Sequence, residues 1–154
     1  MRTSRWALAG ALALTGTVLA GCEQPPPSVT VFSGSTSVRT AALCWAFDAP
    51  ALRPGDCAQD IVAGSQVGDA PQLRVSPGNV VGISVDEAVA QEGWVPAIGG
   101  QRLVNTPITD TYYRFTFPQA FPQAELPAKG LGLQVLAGSG NQLRGVWAVR
   151  LTNS

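Results

Sequence analysis

The sequence predicts an all-β protein: an immunoglobulin-like antiparallel β-sandwich of about seven to nine strands, preceded by a signal peptide. Three observations lead there. Apolar and polar residues alternate strictly over short runs, which is the period of a strand with one buried face. Clusters of Gly, Pro, Asn and Asp break these runs at intervals of about ten residues, the spacing of a sandwich. No long run carries a helical period, and only 86–91, Asp-Glu-Ala-Val-Ala-Gln, suits a short helix, set in a loop between strands. A small closed barrel is the alternative arrangement of such strands.

Taken in order, Val29 and Val31 alternate with Ser28 and Thr30. Ser33-Gly34-Ser35 then turns the chain into a second strand near 37–43, giving a hairpin. Residues 46–71 read as loop. Leu73 and Val75 oppose Gln72, Arg74 and Ser76, and Pro77-Gly78-Asn79 is a turn. Val81, Ile83 and Val85 form the next apolar face. Gly99-Gly100 separates a strand at 94–98 from one at Leu103-Val104. Tyr113, Phe115 and Phe117 share a face opposite Tyr112, Arg114 and Thr116. The last hairpin spans 131–151. Leu131, Leu133 and Val135 share one face of its first strand. In its second strand Leu143, Trp147, Val149 and Leu151 point inward, with Arg144 and Arg150 outward.

The amino end carries a different signal. Arg2 and Arg5 precede an uncharged stretch, 6–19, rich in Ala and Leu. Its 14 residues are fewer than the ~20 of a spanning helix, and the layout is that of a secretory leader. The stretch ends in Leu19-Ala20-Gly21-Cys22, which resembles the lipobox of bacterial lipoproteins. That resemblance implies cleavage before Cys22, a diacylglycerol on its thiol and acylation (palmitate, for example) of the new amine. Several acyl chains hold firmly where one binds reversibly, since each buried methylene adds ~0.8 kcal/mol. Residues 1–21 are then a removed signal peptide, 22–28 a lipidated and proline-rich tether, and 29–154 one domain. Pro25-Pro26-Pro27 favours an extended spacer, suited to lifting a domain off a bilayer. The expected location is the cell membrane, on its extracytoplasmic face.

Two of the ten basic residues, Arg2 and Arg5, lie in the leader, which leaves eight against ten acidic ones. With no basic cluster, nucleic acid is excluded as a partner. With Cys22 assigned to lipid, Cys44 and Cys57 remain as an even pair in an oxidising compartment, which predicts a disulfide. Two separate buried thiols are the plainer alternative.

The chain has no histidine, which removes Ser-His-Asp and Cys-His catalysis, and it has no Cys-x-x-Cys metal spacing. Lys129, the one lysine, sits in a Pro/Gly-rich run unsuited to a buried base. No phosphate-cradling or dinucleotide motif occurs, so no cofactor and no metal are expected. Asp86, Glu87 and Glu92 form the one acidic cluster. Paired carboxylates for glycoside hydrolysis and oxygen ligands for calcium are the sharp readings. A solvated loop in which Asp86 caps a helical turn is the plain one, and the alternating spacing of a calcium loop is absent. Trp45 is placed against the disulfide, and Trp147 in the core. Trp94 and Tyr112, with Tyr113 beside them, are candidates for an aromatic binding surface alongside Asp86, Glu87 and Glu92, although Trp94 at a strand start also suits the core.

Gly93-Trp94-Val95-Pro96, Gly99-Gly100-Gln101-Arg102-Leu103, Pro107-Ile108-Thr109-Asp110-Thr111-Tyr112-Tyr113-Arg114-Phe115 and Gly145-Val146-Trp147 resemble a family of actinobacterial lipoproteins known as a domain of unknown function. That resemblance implies a lipid anchor and an early cysteine pair, and brings no functional residues. The layout is also similar to chagasin-type cysteine-protease inhibitors, which act through three loops at one end. The matching loops here would be 86–93, 105–110 and 138–143. Asn105-Thr106-Pro107 only loosely matches the inhibitors' Asn-Pro-Thr-Thr-Gly loop, and their Arg-Pro-Trp segment is missing. The expected function is a non-enzymatic binding module of the envelope, held by lipid and meeting an envelope protein or component through its loops. A chagasin-like inhibitor and a carboxylate-dependent hydrolase are the alternatives.

Overall fold

The computed structural model describes residues 24–62, 69–117, 130–138 and 142–153. The expected leader, Cys22, Lys129 and residues 139–141 of the loop expected at 138–143 lie outside the described residues. The elements follow one another as β1 (Ser28–Ser33), β2 (Thr36–Ala41), β3 (Cys44–Trp45), α1 (Gln59–Val62), β4 (Gln72–Val75), β5 (Val80–Val85), α2 (Glu87–Glu92), β6 (Trp94–Ile98), β7 (Gln101–Arg102), β8 (Tyr112–Thr116), β9 (Leu131–Ala137) and β10 (Gly145–Asn153). None of the described helices is long and apolar enough to cross a membrane.

Alternation builds the first sheet, ordered β2-β1-β5-β8 and antiparallel throughout. Val29 and Val31 of β1, Val81, Ile83 and Val85 of β5, and Phe117 just after β8 bury their side chains on one face. Ser33 faces Thr36 across the first hairpin, so Gly34 and Ser35 alone make the turn. Gly34 has φ of 58°, a left-handed value that this turn needs and that glycine adopts freely.

The second sheet runs β3-β10-β9-β6-β7, with β4 also paired to β10. The terminal hairpin is its spine: β9 and β10 pair from Leu131↔Leu151 to Ala137↔Gly145. The two sheets face each other across one core that holds Leu73, Val75, Trp94, Ile98, Leu133, Val135, Trp147, Val149 and Leu151 from this side. The protein is an all-β sandwich of two sheets. The ten strands among the described residues exceed the expected number because β3 and β7 are two residues long. The strand expected at 103–104 lies at 101–102, directly after the Gly99-Gly100 turn. One pairing departs from the antiparallel pattern: β4 runs parallel to β10, Gln72 beside Arg150 through Val75 beside Asn153. The long chain between them supplies the crossover that parallel strands require.

The second sheet is covered on its outer face as well. Val95, Ala97, Gln134, Val146 and Ala148 are buried there. The segment that the sequence reads as loop lies over them. The Gln134 amide donates to the Ile61 carbonyl, Arg144 to the Ala49 carbonyl, and Arg150 to the Ala70 carbonyl at 3.4 Å. Arg144 and Arg150 leave the core as expected, but they end on backbone and are only partly exposed. The Cys44–Cys57 disulfide is present, with Cα atoms 5.7 Å apart, and staples this covering segment to β3. A loop of this length is worth about 3 kcal/mol in the chain-entropy model. Trp45, expected on the disulfide, packs on Trp147 with ring centroids 5.6 Å apart.

Gly145 makes that aromatic pair fit. A Cβ there would lie 2.5 Å from Cε3 of Trp45 and 2.7 Å from Cη2 of Trp147. Gly145→Ala should therefore lower stability by about 1–3 kcal/mol, the usual cost of overpacking. Thermal unfolding followed by circular dichroism measures this; an unchanged midpoint would mean that the two rings have room to move.

Candidate functional site at the tethered end

The first described residues lie against the domain. Pro27 is half-buried, and its carbonyl accepts a hydrogen bond from Nε1 of Trp147 at 2.9 Å. A buried indole needs such an acceptor, and here Pro27 supplies it. Strand β1 begins at the next residue, Ser28. Of the proline run expected as a spacer, Pro27 is thus held on the sandwich, while Pro25 is exposed.

Ser28 is fixed from the other side by Asp86. The Asp86 carboxylate accepts from the Ser28 amide at 2.7 Å and from its hydroxyl at 2.9 Å. The Asp86 amide in turn donates to the Ser28 carbonyl at 3.1 Å. Nε of Arg39 donates to the Ser28 hydroxyl at 2.8 Å, and its guanidinium lies 3.9 Å from Asp86. The expected side-chain cap of α2 is thus replaced. The Asp86 carboxylate is turned to β1, and its backbone carbonyl takes the amides of Val89 and Ala90 at 2.9 and 3.2 Å.

These residues border a cleft of about 570 Å³. Gln24 to Pro27 form one side. Trp45, Phe47 and Arg144 form another, and Asp86, Ala88, Gln91 and Glu92 line the helix side. Arg144 stands 5.3 Å over the Trp45 ring and 3.3 Å from the Glu92 carboxylate. A guanidinium on an aromatic face, paired with a carboxylate, is a stable wall. Phe47 is 48% exposed beside it. The lining thus holds two cations, two anions and an aromatic rim.

A scan against protein-family models, a search of curated proteins and a search of solved structures each returned no match to this chain. The site therefore rests on its own geometry.

Of the residues singled out from the sequence, Asp86 and Glu92 meet in this cleft. Glu87 is exposed, accepts from Gln91 at 3.4 Å and does not line it. Trp94 belongs to no surface: it is 0% exposed, packs edge-on to Tyr113 and donates from Nε1 to the Asp110 carbonyl at 2.8 Å. Tyr112 is 46% exposed but sits on the outer face of the first sheet, stacked on Phe32. The expected aromatic surface is thus divided between core and exterior. Arg39, Phe47, Arg144 and Pro27 were not legible as site residues, because their partners lie up to 120 positions away. Among the described residues, no group of three or more His, Cys, Asp or Glu could hold a metal ion.

Because the Asp86 carboxylate holds both the amide and the hydroxyl of Ser28, Asp86→Ala should cost about 1–2 kcal/mol. Asp86→Asn, which keeps one acceptor oxygen, should cost less. Glu87→Ala should stay within about 0.5 kcal/mol. Urea unfolding of the three variants gives the order; equal effects at 86 and 87 would contradict the seam between Asp86 and β1.

Proposed function

We propose that this chain is a lipid-anchored, non-enzymatic module of the cell envelope that meets an envelope component through the cleft at its tethered end. The observation that carries this reading is the placement of the cleft. Its wall is the same stretch, 24–27, that follows the lipobox cysteine. The carboxylates support binding over turnover. Asp86 is engaged in fixing β1 and Glu92 in pairing with Arg144, so both serve as structural walls. The anchor places the domain on the extracytoplasmic face of the membrane.

A photo-crosslinking residue at Phe47, compared with one at Val80, tests this in cells. Adducts with envelope material should form from position 47, be weak from position 80, and disappear with the membrane-bound fraction in Cys22→Ala. Identical adducts from both positions, or adducts unaffected by Cys22→Ala, would overturn it.

One observation favours a second reading, protease inhibition through loops at one end. Gly93 lies between two other loops. A Cβ there would be 3.2 Å from Pro107, and its carbonyl accepts the Gly138 amide at 2.8 Å. Segments 86–93 and 105–110 thus meet Gly138, the first residue of the third expected loop, whose residues 139–141 lie outside the described residues. Titration against papain-like proteases decides it: activity unaffected at micromolar protein removes this reading.

A further inference from the structure

We infer that the anchor-end face, with Phe47 at its rim, rests on the headgroup layer of the membrane in which Cys22 is embedded. This rests on the lipid-anchor reading above and names the component that the cleft meets. Only Glu23 separates Cys22 from Gln24, the first residue on the cleft wall. Two residues span at most about 7 Å. One headgroup layer is about 5–8 Å deep, half the difference between the whole bilayer and its hydrocarbon core. From Pro27 onward the chain is fixed to the sandwich by the Trp147 indole and by the bonds between Ser28 and Asp86. The five steps from Cys22 to Pro27 span at most about 18 Å, which keeps the cleft close to the headgroups.

The chemistry of the face fits that layer. Phe47 is a large exposed aromatic side chain beside the tether, and aromatic residues favour the membrane–water interface. Arg39 and Arg144 are balanced by Asp86 and Glu92, and each cation has its carboxylate partner. A cleft lining with no net charge, flanked by the acidic Asp48 and Glu23, suits a zwitterionic headgroup layer and needs no anionic lipid. Contact here would depend on the anchor and on Phe47, with little dependence on salt.

The test uses the full lipid-carrying protein in phosphatidylcholine vesicles that contain lipid spin-labelled near the headgroup. Phe47→Trp supplies the reporter. Val80→Trp is the control, because Val80 is exposed and lies about 17 Å along β5 from the cleft end. Mass measurement first establishes whether Cys22 carries lipid. Circular dichroism establishes that both variants keep the fold.

The Phe47→Trp emission should be quenched about threefold more than that of Val80→Trp, with no loss when salt is raised. Equal quenching of the two reporters on vesicle-bound, lipidated protein overturns the apposition and leaves the anchor reading standing. Quenching that appears only with anionic lipid also overturns it, since a basic surface would then hold the domain. A Cys22 without lipid overturns both.

Discussion

The indole N–H of Trp147 donates to the carbonyl of Pro27, and the cleft end of the sandwich is arranged around that bond. Trp147 is buried near the start of β10, the strand that β9, β3 and β4 all join. Its polar atom would be costly without a partner. The partner comes from the residue just before β1, so the entry of the chain and the spine of the second sheet are fixed by one contact. Asp86 ties the same entry to the end of β5. Trp45 and Gly145 complete the arrangement: the ring of Trp45 lies where any side chain at 145 would stand.

This constraint gives the cleft its walls. Arg144, one residue before Gly145, leaves β10 over the Trp45 face and meets Glu92 at the end of α2. The disulfide holds β3 to the segment that covers the outer face of the second sheet, and Phe47 belongs to that segment. A surface made from residues 24–27, two sheets, a helix turn and a stapled loop has little freedom to open.

Much of the sandwich was legible wherever one strand face is buried and the other is wet. Val81, Ile83 and Val85, the Tyr113-Phe115-Phe117 face, and Leu133 with Val135 all follow period two, and each lies on the inner side. The cysteine pair followed from the assignment of Cys22. Legibility failed where that contrast is lost. The run Val146-Trp147-Ala148-Val149 is buried on both faces, and Gln134 is a polar residue within the covered outer layer. Alternation cannot report a second buried face, although the continuous apolar run was a sign of one. The parallel pairing of β4 with β10 has no local sequence signal at all. Trp94 shows the same limit for the site: an aromatic residue at a strand start looks alike in a core and on a binding surface. Asp86 was read from its position before a helical turn, whereas its carboxylate is taken by a partner 58 residues earlier.

The central claim is that the chain entering β1, from Pro27 onward, is part of the folded domain. Hydrogen exchange of the Trp147 indole N–H and the Ser28 amide, resolved by nuclear magnetic resonance, tests it most directly. Both should exchange as slowly as the amides of β1 that pair with β5. Exchange of these two protons at the rate of an open chain, with β1 still protected, would show a tether free of the sandwich and would contradict the account.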